Sequence, residues 1–142
     1  MIALWICAGC GSPGPARPGT AAAPADAAPA EPPPLDRDYP RLAERAASLY
    51  EEIAAAFGAA GEDCPRATAR LGELTAAYRD VIAANAKVLH EGRARELKPA
   101  LAAHGERLDA AARSIVESPT MARCSQDPAF TKAFDDLVGA PP

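Results

Sequence analysis

The chain reads as all-α: an up-down-up three-helix bundle with a short fourth C-terminal helix, preceded by a disordered tether. Three observations predict this. Alanine makes up roughly a quarter of the 142 residues while aromatics reach only 5%. That composition favours closely packed helices over a barrel or sandwich rich in β-branched and aromatic side chains. Apolar residues between positions 42 and 138 recur in steps of three and four, the period of one helix face. Finally, most prolines beyond the N-terminal quarter follow, within two residues, a side chain able to cap a helix.

Those prolines are Pro40, Pro65, Pro99, Pro119 and Pro128, and the capping candidates are Asp38, Asp63, Ser118 and Asp127. Proline is tolerated in a first helical turn, where its missing N–H has no partner anyway. The five positions therefore mark helix starts. In the first helix Leu42, Ala46, Leu49, Ile53, Ala56 and Ala60 form the stripe, Tyr50 and Phe57 flank it, and Gly58 and Gly61 stop it. The second keeps the rhythm from Cys64 and Ala67 through Leu71, Leu74, Tyr78, Val81, Asn85 and Val88 to Gly92. Leu97, Leu101, His104, Leu108, Ala111 and Ile115 carry the third, from near Lys98 to Glu117. A short fourth piece with Phe130, Phe134, Leu137 and Val138 forms a lid over one end. Short links make neighbouring helices antiparallel.

If the second and third helices face each other about the Glu91–Lys98 link, facing residues have numbers adding to about 189. Asn85 and His104 satisfy this and both lie on apolar stripes, which predicts a hydrogen-bonded polar pair that fixes register. Cys64 and Cys124 satisfy it to within one, which places both thiols at the same end. In an exported protein such a pair reads as a disulfide, and closing a loop of sixty residues is worth about 4 kcal/mol in the chain-entropy view.

The first ten residues, MIALWICAGC, are apolar throughout and give way abruptly to GSPGPARPGT. An apolar stretch ending in small residues is the core and cleavage region of a secretory signal. Ala8-Gly9-Cys10 resembles the lipobox of bacterial lipoproteins. The resemblance implies lipidation of the Cys10 thiol, cleavage before it, and a membrane anchor. Gly11, where Asp would favour inner-membrane retention, implies the periplasmic face of the outer membrane. Cys7 stands where that motif usually has Leu, and no Lys or Arg precedes the run, so the natural start is expected upstream. The competing reading of Cys7-Ala8-Gly9-Cys10 as a redox C-x-x-C lacks the preceding strand, and Gly11 excludes a c-type haem attachment motif. Residues 11–38 hold eight of the 15 prolines and too little apolar surface to offset chain entropy. The division is thus 1–9 signal peptide, 10–38 lipidated Cys and disordered Pro/Ala-rich linker, 39–140 helical bundle. The bundle looks like the small alanine-rich lipoproteins of high-GC bacteria, a likeness that carries no activity with it.

With a net charge of -4, the chain lacks the basic excess of a nucleic-acid binder. No apolar run reaches the ~18 residues of a membrane span. His90-Glu91 begins a metalloprotease motif, but Ala94 stands where its second His belongs. Lys87, His90, Arg93, Arg95 and Lys98 gather at the second turn. Glu91 and Glu96 share that turn, which reads as a solvated helix junction whose alternative is an acidic partner or lipid headgroups. Asp135 and Asp136 read as a solvated face. No phosphate loop, nucleophile elbow or triad spacing is present. The expectation is a non-enzymatic envelope module with no cofactor and no nucleic acid, meeting a membrane and an envelope protein partner. The alternative is a periplasmic carrier of haem, metal or a small apolar molecule, in which His90 or His104 with Met121 would supply axial haem ligands, though nothing in their spacing favours it.

Overall fold

The computed structural model describes residues 32–138; the segment 1–9, Cys10 and the linker as far as residue 31 lie outside the described residues. Within them the chain is all-helical. A single 3-10 turn, Leu35–Arg37, leads into α1 (Tyr39–Ala60), α2 (Cys64–Ala77), α3 (Arg79–His90) and α4 (Ala94–Ala102). There follow α5 (Gly105–Val116), α6 (Pro119–Cys124) and α7 (Pro128–Val138).

Four expected caps are made. Asp38 accepts from the Arg41 N–H at 3.2 Å, Asp63 from Arg66 at 3.0 Å, and Ser118 from Met121 at 3.1 Å. Asp127 accepts from Ala129 and Phe130 at 2.8 and 3.1 Å. Each follows from the same need: the first N–H groups of a helix have no internal acceptor, and a short polar side chain supplies one for about 1 kcal/mol. Gly61 and Gly92, at φ 59° and 71°, end α1 and α3 in the left-handed region that favours glycine. Gly58 stops nothing; it lies inside α1.

Two of the expected long helices are broken. The second is divided at Tyr78 (φ -109°) and the third at Ala103-His104. The break at Tyr78 carries no helix stop in the sequence; the one at Ala103-His104 is followed directly by Gly105, a helix-stop residue that the apolar period runs straight through. Pro99 is also displaced from its expected role. It lies inside α4 rather than at a helix start, because Gly92 releases the chain early enough for Ala94 to begin the helix. Lacking an N–H, Pro99 removes a rung of the ladder, and α4 ends within one further turn.

The arrangement also differs from mutually facing helices. Helix α1 is central. On one flank α2 and α3 run antiparallel to it, with Tyr78 bonded to Glu52, Arg45 to Asp80 and Lys87 to Asp36. On another flank α4 and α5 run parallel to it, as Tyr39–Glu96, Arg107–Glu44 and Thr120–Phe57 show in order. The two arms meet at the α3–α4 turn, and each packs chiefly on α1. Helix α7 is not a lid over one end: it lies alongside α2, burying Phe130 and Leu137. Phe57, Phe130 and Phe134 pack together at centroid distances of 5.4 to 6.3 Å, Phe130 stacked on Phe134 and Phe57 tilted against both. Leu42, Ile53, Phe57, Leu71, Val88, Phe130 and Leu137 form the fully buried centre, each side chain worth roughly 1.5–3 kcal/mol on burial.

The folded unit begins before Tyr39. Leu35–Arg37 packs on α1 and α3, and Asp36 is 6% exposed. The expected boundary at 38/39 therefore falls about four residues late.

Candidate functional sites at the two ends of the bundle

At one end stand Cys64, the first residue of α2, and Cys124, the last of α6. They form a disulfide with Cα atoms 5.5 Å apart. Cys124 is fully buried. Beside it the Thr120 hydroxyl, also fully buried, donates to the Phe57 carbonyl at 2.9 Å and lies against the Gly61 carbonyl. The bridge and this bond together moor α6 on the ends of α1 and α2. Numerical pairing identified the right cysteines because the two arms run antiparallel to one another, although they pack on α1 rather than face to face: the thiols meet where α2 starts and α6 stops.

At the opposite end the 3-10 turn is locked to the α3–α4 turn. Asp36 takes ion pairs from Lys87 at 3.0 Å and Arg93 at 3.2 Å, and Arg93 also donates to the Asp36 carbonyl at 2.7 Å. The same guanidinium bonds Glu91 and donates to the Tyr39 hydroxyl, which donates to Glu96 at 2.6 Å. The Lys87 hydrogen bond, with Arg93 beside it, holds the Asp36 carboxyl below the usual carboxylate range even though burial opposes this. Arg93, 11% exposed, is held firmly protonated by its bonds to Tyr39 and Glu91. The sequence reading treated Arg93 as one cation of a solvated turn. What it missed is the partner, since Asp36 lies at the end of a proline-rich stretch and its proximity to residue 93 is purely tertiary.

The expected Asn85–His104 pair is not formed. His104 Nδ1 lies 3.3 Å from Glu44 and 3.4 Å from Arg107. Arg107 in turn clamps Glu44 and Glu51 at 2.8 to 3.0 Å, which lowers the Glu51 carboxyl. Asn85 lies on the other flank of α1, in an apolar groove with Leu49, Tyr50, Ile82, Leu89 and Val138. The reason is topological. The pairing required the two arms to face one another, whereas α1 stands between them. A further polar contact crosses α1 and α2 at Tyr78, whose phenol is pushed up to about 12 by burial and by its bond to Glu52.

The carriers of chemistry are thus dispersed. His90 is exposed at the end of α3, whereas Met121 belongs to α6 at the disulfide end. The structure does not bring them together. Among the described residues no group of three or more His, Cys, Asp or Glu side chains is placed to hold a metal ion. No described helix is long and apolar enough to cross a membrane. The groove beside Asn85 measures about 80 Å³, below the ~300–1,000 Å³ of ordinary small-molecule sites. No protein family matches the chain, and no curated protein or solved structure matches it either.

Proposed function

We propose that this chain is a lipid-anchored, non-enzymatic helical module of the bacterial cell envelope. Lipidation at Cys10 carries it on the periplasmic face of the outer membrane, where its bundle offers a helical surface to an envelope protein partner. The observation that carries this reading is the apolar decapeptide ending in Ala8-Gly9-Cys10, followed by a Pro/Ala-rich stretch and a separately folded domain. The Cys64–Cys124 bridge supports it independently, because intrachain disulfides persist in oxidising compartments and rarely in a reducing cytosol. Gly11 supports the outer over the inner membrane. The closed ion pairs around Arg93 and Arg107 support a structural over a catalytic use of the polar groups, since each cation is already bonded to carboxylates. The groove beside Asn85, at about 80 Å³, is too small for haem, which weighs against the carrier reading at that place.

Fatty-acid labelling in a bacterial host tests the anchor. The chain, expressed with a complete signal, should incorporate labelled palmitate and partition into detergent, and Cys10→Ala should lose both. Equal labelling of the variant would refute the reading.

A further inference from the structure

The two ends of the bundle differ in charge. Around the α3–α4 turn the described residues carry Arg37, Arg41, Lys87, Arg93, Arg95 and Lys98 against Asp36, Asp38, Glu91 and Glu96. The rest of residues 32–138 carries eight cations against thirteen anions. Within residues 32–138 the excess of positive charge is therefore gathered at the α3–α4 turn, where the described chain begins.

At that end the anions are already engaged. Asp36 pairs with Lys87 and Arg93, Glu91 with Arg93, Asp38 with Arg41, and Glu96 accepts the Tyr39 hydroxyl. Arg95 and Lys98, one turn apart on α4, are exposed and form no ion pair among the described residues. Leu89, 55% exposed, adds an apolar side chain in the last turn of α3. The entering chain is fastened here too, by Arg41 donating to the Pro33 carbonyl at 2.7 Å and by the Asp36–Arg93 lock.

We propose that the α3–α4 turn, led by Arg95 and Lys98 on α4 and with Leu89 in the last turn of α3, is a docking surface for an anionic phospholipid bilayer. Charge complementarity selects the partner: phosphate headgroups attract clustered Lys and Arg, and an exposed Leu can enter the headgroup region. The described chain also begins at this end, so the charged turn and the point where the anchored segment joins the domain coincide. The inference deepens the lipid-anchor reading and rests on it for naming the membrane as the surface within reach. Docking is electrostatic and reversible.

Vesicle flotation tests this with the full chain carrying Cys10→Ser, which removes any contribution of a lipid. Residues 1–9 are common to every variant, so the reading is the difference between variants. The parent should bind vesicles containing phosphatidylglycerol more tightly than pure phosphatidylcholine vesicles, and added salt should reduce the difference. Arg95→Glu with Lys98→Glu should weaken binding to the anionic vesicles by about tenfold or more. Arg113→Glu with Lys132→Glu, far from this end, should weaken it by less than about threefold. Both pairs are exposed, and helical circular dichroism should be unchanged. Equal binding to neutral and anionic vesicles, or equal losses from the two pairs, would overturn the proposal. So would retention of vesicle binding by the Arg95/Lys98 variant together with loss of a crosslinked protein partner in cells. Failure of the anchor reading is seen separately, as absent palmitate labelling at Cys10.

Discussion

Opening the Cys64–Cys124 bridge should be the most destabilising mild change to this protein. The bridge closes a loop of 60 residues that includes all of α2 to α5, so reduction returns to the unfolded chain the freedom of more than half the domain. In the chain-entropy view that is worth about 4 kcal/mol. A folded domain of this size holds only ~5–15 kcal/mol in total. The native packing does not depend on the bond alone. Thr120 remains hydrogen-bonded to the end of α1, and Phe130 and Leu137 remain buried, so the reduced protein should still fold at low temperature. The comparison is oxidised against reduced wild type in urea, which leaves every side chain in place and avoids the cavity that replacing buried Cys124 would create. The stability difference should be about 4 kcal/mol, or a melting temperature lower by roughly 15–30 °C. A difference below about 1 kcal/mol would refute the loop-entropy account. A non-reduced digest that yields two separately alkylated peptides would refute the bridge itself.

Three further outcomes follow from the packing. Asn85→Leu and His104→Leu should act independently, their effects adding to within about 0.5 kcal/mol, because α1 separates the two side chains; a coupling above about 1 kcal/mol in a double-mutant cycle would contradict the placement. Asp36→Asn should reduce the pH dependence of stability. The wild-type carboxyl is held below its ordinary value, so its stabilisation is complete above about pH 4 and is lost as pH falls below that; urea midpoints near neutrality and near pH 3 should therefore lie closer together in the variant. Gly92→Ala should cost about 1–2 kcal/mol through backbone strain alone, since φ is 71° and an added Cβ meets no atom within 4 Å, whereas the same change at exposed, helical Gly58 should be neutral or stabilising.

What was legible in the sequence was what depends on a few neighbouring residues. The all-helical class follows from apolar spacing, and the starts of α1, α2, α6 and α7 follow from Asp38, Asp63, Ser118 and Asp127 placed just before a proline. Gly61 and Gly92 mark their helix ends because left-handed backbone is a one-residue requirement. Even the disulfide was legible, since both cysteines lie at helix termini that any bundle of this connectivity gathers at one end.

The tertiary structure decided which faces meet. Tyr78 interrupts a helix without any local signal, the break before Gly105 is hidden under an unbroken apolar period, and the resulting arms pack on α1 rather than on each other. That choice separates Asn85 from His104 and gives His104 to Glu44 and Arg107. It also turns α7 from an end lid into a layer along α2. The Asp36–Arg93 lock belongs here as well, joining residues 57 positions apart. Apolar periodicity states that a helix has a face to bury, but with alanine stripes of nearly equal depth several partners can bury it. The choice between them rests on the few large side chains, chiefly Phe57, Phe130, Leu42 and Leu71, whose volumes interlock only when the whole chain is in place.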